Sequence, residues 1–316
     1  MKDDEEYLIS FANLKSKLFD HQDNFVNSVE IEEFYKKTFY GIPQLLPKNI
    51  KYFDYSQANY FKICKKKFSR KIFNTDNLNY IGNKKIFRYG NEFASNVFLK
   101  KKYEKKFNWY KKNIENVRQS VKNLNKSKKK ICAMQIRNAP HYGHEAVFKF
   151  ILKKFDYLVL NPIFGIKKKN DFSDLFIKKA LNFMQKKYKN IKFFPIYTNF
   201  YYGGPREALH HLIIRKNLGF QCFYIGRDHA GAENLYNNLA AIKAAKKYKN
   251  KFSIKILTSK GGYYCKICEK YLIKDSCGHK KLTNVSGTEF RKCLNRKFLY
   301  VHADKKLQKI LSNMND

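Results

Sequence analysis

From residue 131 onward the chain alternates short apolar runs with longer stretches in which apolar residues return every three or four positions. Ile131-Cys132-Ala133-Met134, Tyr157–Leu160, Lys192–Ile196 and Gln221–Ile225 are short and bounded by polar residues, as buried strands are. Between them Val147, Phe150, Ile151 and Phe155 fall on one side of a helix whose other side carries Lys149, Lys153 and Lys154. Asp174–Tyr188 and Arg206–Leu218 read as further helices. Strands alternating with helices of this length predict a parallel sheet with right-handed crossovers, whose ligands sit beyond the C-terminal ends of the strands. Chemistry is therefore expected in the loops after Met134 and Ile225.

The first 125 residues mix short aromatic and β-branched runs with Asn and Lys turns and show no comparable alternation. The polar stretch Asn123–Lys130 reads as a boundary between two units, 1–125 and 126–316. A chain of 316 residues has room for two domains of about 150 residues. No apolar run approaches the roughly 20 residues that cross a bilayer, so no membrane partner is expected. The opening Met1-Lys2-Asp3-Asp4-Glu5-Glu6 is acidic where a leader would be basic and apolar, which points to the cytoplasm.

A net charge of +39 raises the question of nucleic acid, because dense positive charge binds phosphate backbones. The excess is spread along the chain, with 29 basic and 14 acidic residues up to position 130 and 36 and 12 after it. Of the 65 basic residues 56 are Lys and only 9 are Arg, whose planar fork is the better reader of phosphates and bases. This pattern favours drift toward AT-rich codons over a nucleic-acid surface. It also gives weight to each Arg that persists.

The loop after the first strand reads Gln135-Ile136-Arg137-Asn138-Ala139-Pro140-His141-Tyr142-Gly143-His144. Pro140 is expected to open a helix with His141 and His144 three apart on one face, where free amides and imidazoles favour a polyphosphate. A surface pair or half a metal site would use the same two His; Gly143 and Arg137 tilt the reading toward the anion. Gly226-Arg227-Asp228-His229-Ala230-Gly231 follows a later strand and reads either as a turn with a capping Asp or as the second wall of a nucleotide pocket. Gly203-Gly204-Pro205-Arg206-Glu207-Ala208, with His210 and His211 after it, reads as structural, Arg206 and Glu207 serving as cap or ion-pair partners. Val285-Ser286-Gly287-Thr288-Glu289-Phe290-Arg291 begins another helix, which Ser286 or Thr288 either caps or turns into a third phosphate contact.

Seven cysteines in a chain this long suit a reducing compartment. Cys265, Cys268, Cys277 and His279 form C-x2-C-x8-C-x-H, two short knuckles of soft ligands as tetrahedral zinc requires. Four protein ligands would close the shell, so the zinc is expected to be structural. A redox Cys-x-x-Cys would need neither Cys277 nor His279. Cys64, Cys132, Cys222 and Cys293 read as packing residues.

Together these segments resemble the ATP sulfurylase (sulfate adenylyltransferase) family, which carries Q-T-R-N-P-x-H-x-x-H, G-P-R-E-A, G-R-D-H-A-G and I-S-G-T-E in this order. Here they stand at Gln135–His144, Gly204–Ala208, Gly226–Gly231 and Val285–Glu289. The His-Tyr-Gly-His segment also resembles the phosphate-binding signature of the wider nucleotidyltransferase superfamily. The resemblance implies a Rossmann-like α/β domain with a parallel sheet at 126–316, a β-rich PUA-like domain at 1–125, and a small zinc-bearing segment at 263–280 followed by a helical end. It implies that sulfate attacks the α-phosphorus of ATP directly, giving adenosine 5′-phosphosulfate and diphosphate, with magnesium accompanying ATP. By the family pattern Gln135 and Arg137 contact sulfate, Asn138 is catalytic, and His141 and His144 stabilise phosphate charge. Gln135, Ile136, Arg137, Asn138, Gly226, Arg227, Asp228 and His229 would line the nucleotide site, with Arg227 and Ala230 also facing the substrate. A homo-oligomer is implied as well. The sequence departs from the family at Ile136, where Thr is usual, and at Ala139, where Pro is usual; losing a substrate-binding hydroxyl is expected to cost about 1–3 kcal/mol, roughly 10- to 200-fold. Two other readings stay open here: a nucleotidyltransferase with another acceptor, and a zinc-bearing nucleic-acid-binding protein without turnover.

Overall fold

The structure is a computed structural model that describes residues 4–314 except 21, 38, 39, 168–170, 232 and 275. Five strands, β1 (Ile131–Met134), β2 (Tyr157–Leu160), β3 (Ile191–Phe193), β4 (Cys222–Ile225) and β5 (Lys255–Thr258), form a parallel sheet in the order β5-β4-β1-β2-β3. β1 and β4 are buried at every position, which is why they read as unbroken apolar runs without alternation. Their side chains divide between the two faces of the sheet. Cys132, Met134, Leu158 and Leu160 pack with α1 (Tyr142–Leu152), α2 (Asp174–Lys187) and the C-terminal helices. Ile131, Ala133, Val159 and Phe223 pack on the other face with α3 (Gly204–Asn217), α4 (Ala240–Lys247) and the N-terminal region. The chain runs outward from β1 to β2 and β3 on one side and then returns to β4 and β5 on the other. Neighbouring β1 and β4 are thus the point where the strand order reverses, and a crevice lies between the loops that follow them.

After β5 comes a small antiparallel sheet of β6 (Gly262–Cys265), β7 (Lys270–Ile273) and β8 (Leu282–Asn284), in the order β7-β6-β8. Two helices, α5 (Gly287–Asn295) and α6 (Lys305–Ser312), close the chain. No helix among the described residues is long and apolar enough to cross a membrane.

The N-terminal region differs from the β-rich unit expected for it. Its strands are short, Phe53–Asp54 pairing with Phe98–Leu99 and Asn59–Lys62 with Glu92–Ser95, and they are outnumbered in residues by helices at Glu5–Lys15, Ser28–Lys36, Lys65–Phe73 and Ile81–Phe87. Ile31 and Phe34, and Phe68, Ile72 and Phe73, bury at helical spacing instead of alternating. Asn123–Lys126, the first part of the polar stretch read as a boundary, is the last turn of a helix at Glu104–Lys126, whose Tyr110, Ile114, Val117 and Val121 are buried. A single apolar cluster runs from Tyr7 and Leu8 through this helix to Ile131 and Phe223 of the central sheet. Cys64, expected to pack, is exposed, whereas Cys132 and Cys222 are buried side by side.

Candidate functional site

The crevice beyond β1 and β4 is a cleft of about 410 Å³. Segments more than 150 residues apart in sequence meet there: Gln135, Arg137, Asn138, His141 and His144 after β1, Gly226–Ala230 after β4, and Val285–Thr288 with Arg291 at the start of α5. Gly204–Ala208 contributes Glu207 alone to the wall.

His141 is the N-cap of α1 in extended conformation, so the helix begins at Tyr142 and Pro140 lies before it; the expectation that Pro140 opens the helix is corrected by this cap. His141 Nδ1 accepts from the His144 amide at 3.3 Å and His144 Nδ1 accepts from the His141 amide at 3.4 Å, a reciprocal cap made by two imidazoles. Burial, reinforced by the neighbouring His144 and by Arg227, holds His141 well below the ordinary histidine range. Burial and Arg227 push His144 down to about 4. Both rings are therefore neutral at pH 7. With each Nδ1 occupied as an acceptor, the proton sits on Nε2, leaving two donors at a helix N-terminus that suit anionic oxygens.

Arg137 is half-buried and has no carboxylate partner among the described residues. Gln135 Oε1 is buried with no hydrogen-bond partner there. Unpaired buried polar groups are rare in folded proteins and concentrate where a ligand completes them. Ile136 and Ala139, the two departures from the family pattern, are only 3 % and 0 % exposed and belong to the apolar cluster under α1. The Ile136 side chain is thus spent on packing, while its position still borders the cleft.

The opposite wall carries strain. Asp228 and Ala230 adopt left-handed backbone angles, φ 53° and 57°, in the loop that brings Gly226–Ala230 to the cleft. Arg227 is held from outside the central sheet. It donates to the Tyr263 hydroxyl, stacks 4.9 Å over that ring, and donates to Asn284 Oδ1 at 2.7 Å. Tyr263 and Asn284 face each other across β6 and β8. His229 Nε2 lies 3.1 Å from His211 Nδ1, and His211 Nε2 is 3.3 Å from the Glu207 carboxylate. Burial lowers both histidines well below their ordinary range, with Arg215 adding to the effect. Glu207 accepts from the Tyr201 and Gly203 amides at 2.9 and 2.8 Å, the capping role expected of it, and Arg206 reaches back to the Gly41 carbonyl.

At the third wall Ser286 caps α5 by accepting from the Glu289 amide at 3.3 Å, and it lines the cleft as well. Asp171, Tyr263 and Asn284 are absent from any motif of the sequence. Asp171 precedes an amphipathic helix in a polar loop, and only its burial beside Arg291 distinguishes it.

Cys265, Cys268, Cys277 and His279 place one ligand atom each within 4.8 Å of one another. Cys265 Sγ and Cys268 Sγ lie 3.6 and 3.2 Å from His279 Nδ1, close to the roughly 3.5–4 Å edges of a tetrahedral zinc shell. The Cys268 amide donates to Cys265 Sγ at 3.4 Å, which further suits a thiolate. The donor set and its spacing fit zinc.

The ATP-sulfurylase family model matches residues 108–298. The chain belongs to the ATP-sulfurylase family. A sulfate adenylyltransferase from Ignicoccus hospitalis is 35 % identical over 234 residues, covering 71 % of this chain and 59 % of that protein. Those of Pyrococcus abyssi and Thermococcus onnurineus are 33 % and 34 % identical, each covering 73 % of this chain and 62 % of the relative. The chain thus spans about three fifths of the length of these family members. Among solved structures, a hexameric APS kinase from Thiobacillus denitrificans superposes with a TM-score of 0.63 at 10 % identity, covering 97 % of this chain and 61 % of the other, and shows a shared fold.

Proposed function

We propose that this member of the ATP-sulfurylase family is a sulfate adenylyltransferase, converting ATP and sulfate to adenosine 5′-phosphosulfate and diphosphate. The observation that carries this reading is the meeting of three family segments around one cleft at the reversal point of the parallel sheet. The cleft holds Arg137, Arg227, Arg291 and two neutral imidazoles, and among its described residues the one Ser of the lining, Ser286, is engaged in capping α5, which suits direct attack of a sulfate oxygen on the α-phosphorus. In this reading Gln135 and Arg137 hold sulfate, with Ala230 opposite. His141 and His144 donate from Nε2 to the phosphates, and Asn138 donates to the reacting group. Gly226, Arg227, Asp228 and His229, with the backbone of Ile136, line the nucleotide. Magnesium enters with ATP, held mainly by phosphate oxygens. Zinc at Cys265, Cys268, Cys277 and His279 is structural.

Residues 1–125 are proposed as the accessory unit corresponding to the PUA-like domain, and 126–316 as the catalytic unit. The full assembly is proposed to be a homo-oligomer; the fold neighbour is hexameric.

The test is ATP formation from adenosine 5′-phosphosulfate and diphosphate by the purified protein, with Arg137→Ala as control. Formation that is lost in the variant while the fold is kept supports the reading. Folded, zinc-loaded protein that forms no ATP refutes it and moves another acceptor, or binding without turnover, to the front.

A further inference from the structure

Arg291 and Asn138 come from segments 153 positions apart, and Arg291 Nη2 donates to Asn138 Oδ1 at 2.6 Å. A guanidinium carries donors only, so the atom it meets must be the carboxamide oxygen. The amide nitrogen is thereby left for the cleft that both residues line. On that side Gly287 makes room: a Cβ there would stand 3.0 Å from Asn138 Nδ2. Arg291 is in turn held from behind. Its Nη1 lies 3.8 Å from Asp171 Oδ1, on a side chain only 1 % exposed, and its guanidinium stacks 5.0 Å over Phe172.

We propose that Arg291 is a positioning residue that fixes the orientation of the Asn138 carboxamide, presenting Nδ2–H2 and not Oδ1 to an anionic substrate. A flipped amide would set two donors against each other at Arg291 and an acceptor against phosphate or sulfate oxygens, so both ends of Asn138 disfavour it. Without Arg291 the first of these constraints disappears, and only the bound anion is left to order the amide. The inference rests on the reading of Asn138 as a group that faces the reacting anion.

The test separates turnover from orientation. Arg291→Met is expected to lower kcat for ATP formation by about 10- to 100-fold, the range for losing a charge-assisted hydrogen bond, with KM changed less than about threefold. Arg291→Lys, which keeps a donor, recovers part of the rate. Arg291→Met in an Asn138→Ala background costs nothing further, because the group it positions is gone. Independent, additive losses in the double variant, or a pure KM effect, would overturn the proposal. In protein labelled with 15N-asparagine, the Asn138 side-chain resonance, assigned by its loss in Asn138→Ala, shifts on adding diphosphate and loses that response in Arg291→Met. If the wild type makes no ATP yet shows this response, positioning stands and the sulfurylase reading falls. If the response survives in Arg291→Met, positioning falls whatever the turnover.

Discussion

Substituting Gly262 by Ala tests how the small antiparallel sheet β6–β8 supports the cleft. Gly262 opens β6, and a Cβ placed there would stand 2.0 Å from the Gly143 carbonyl oxygen and 2.7 and 2.9 Å from the carbon and Cα of the same residue. These are backbone atoms inside the reciprocal cap of His141 and His144, so no side chain can swing away. The two backbones must part by about 1 Å, and overpacking of this kind costs typically 1–3 kcal/mol, here at the upper end because neither side yields. For a chain of this size that predicts a fall in melting temperature of about 3–5 °C. The displacement passes directly to Tyr263, the next residue, and to its strand partner Asn284, the two groups that hold Arg227. A misplacement of about 1 Å at a positioning group can cost about 100-fold in rate. Differential scanning fluorimetry and ATP formation from adenosine 5′-phosphosulfate measure the two effects on one sample. A Gly262→Ala protein that melts and turns over like the wild type would show that the two segments do not pack as described.

Removing zinc, by chelation or by Cys268→Ser, is expected to lower stability and raise the KM for nucleotide through the same route to Arg227; metal analysis with kinetics checks both, and unchanged kinetics in zinc-free folded protein contradicts the link. Acid should destabilise the protein earlier than its carboxylates require. His210, pushed down to about 3 by burial and the neighbouring His211, has a folded value below its unfolded one, so its contribution is complete above about pH 6.5 and is lost as pH falls toward 3. Denaturant unfolding at pH 5 should accordingly show about 2 kcal/mol less stability from this group than at pH 7, and His210→Gln should flatten that loss. Ile136→Thr restores the family residue but places a hydroxyl in an apolar cluster; it should destabilise by about 1–3 kcal/mol in thermal melts without a tenfold gain in turnover.

The strands β1 and β2 are found where the apolar runs put them, and α2 begins at the predicted residue. Runs of four apolar residues bounded by polar ones leave little local choice. The third strand is displaced toward Ile191–Phe193, because Pro195 interrupts the run and Ile196–Tyr197 pairs separately with Ile163–Phe164. The helix ending at Lys126 was missed among its many Lys and Asn residues, although the spacing of Tyr110, Ile114, Val117 and Val121 was present to be read. In the N-terminal region the family resemblance implied a β-rich unit, yet Ile31, Phe34, Phe68, Ile72 and Phe73 bury on helices. Propensity there yields to tertiary packing.

The sequence by itself determined the parallel α/β frame, the order of the motifs, the grouping of Cys265, Cys268, Cys277 and His279, and the strand-end loops that line the cleft, because each depends on periodicity or spacing within a few residues. Tertiary structure alone decided which groups act on one another. Arg227 meets Tyr263 and Asn284 across 36 and 57 positions, Arg291 meets Asn138 across 153, and β6 presses on Gly143. It also decided that Ile136 turns into the core and that the two capping histidines are neutral. Such contacts depend on where the chain returns after each crossover and on how deeply each group is buried, and neither is written in local pattern.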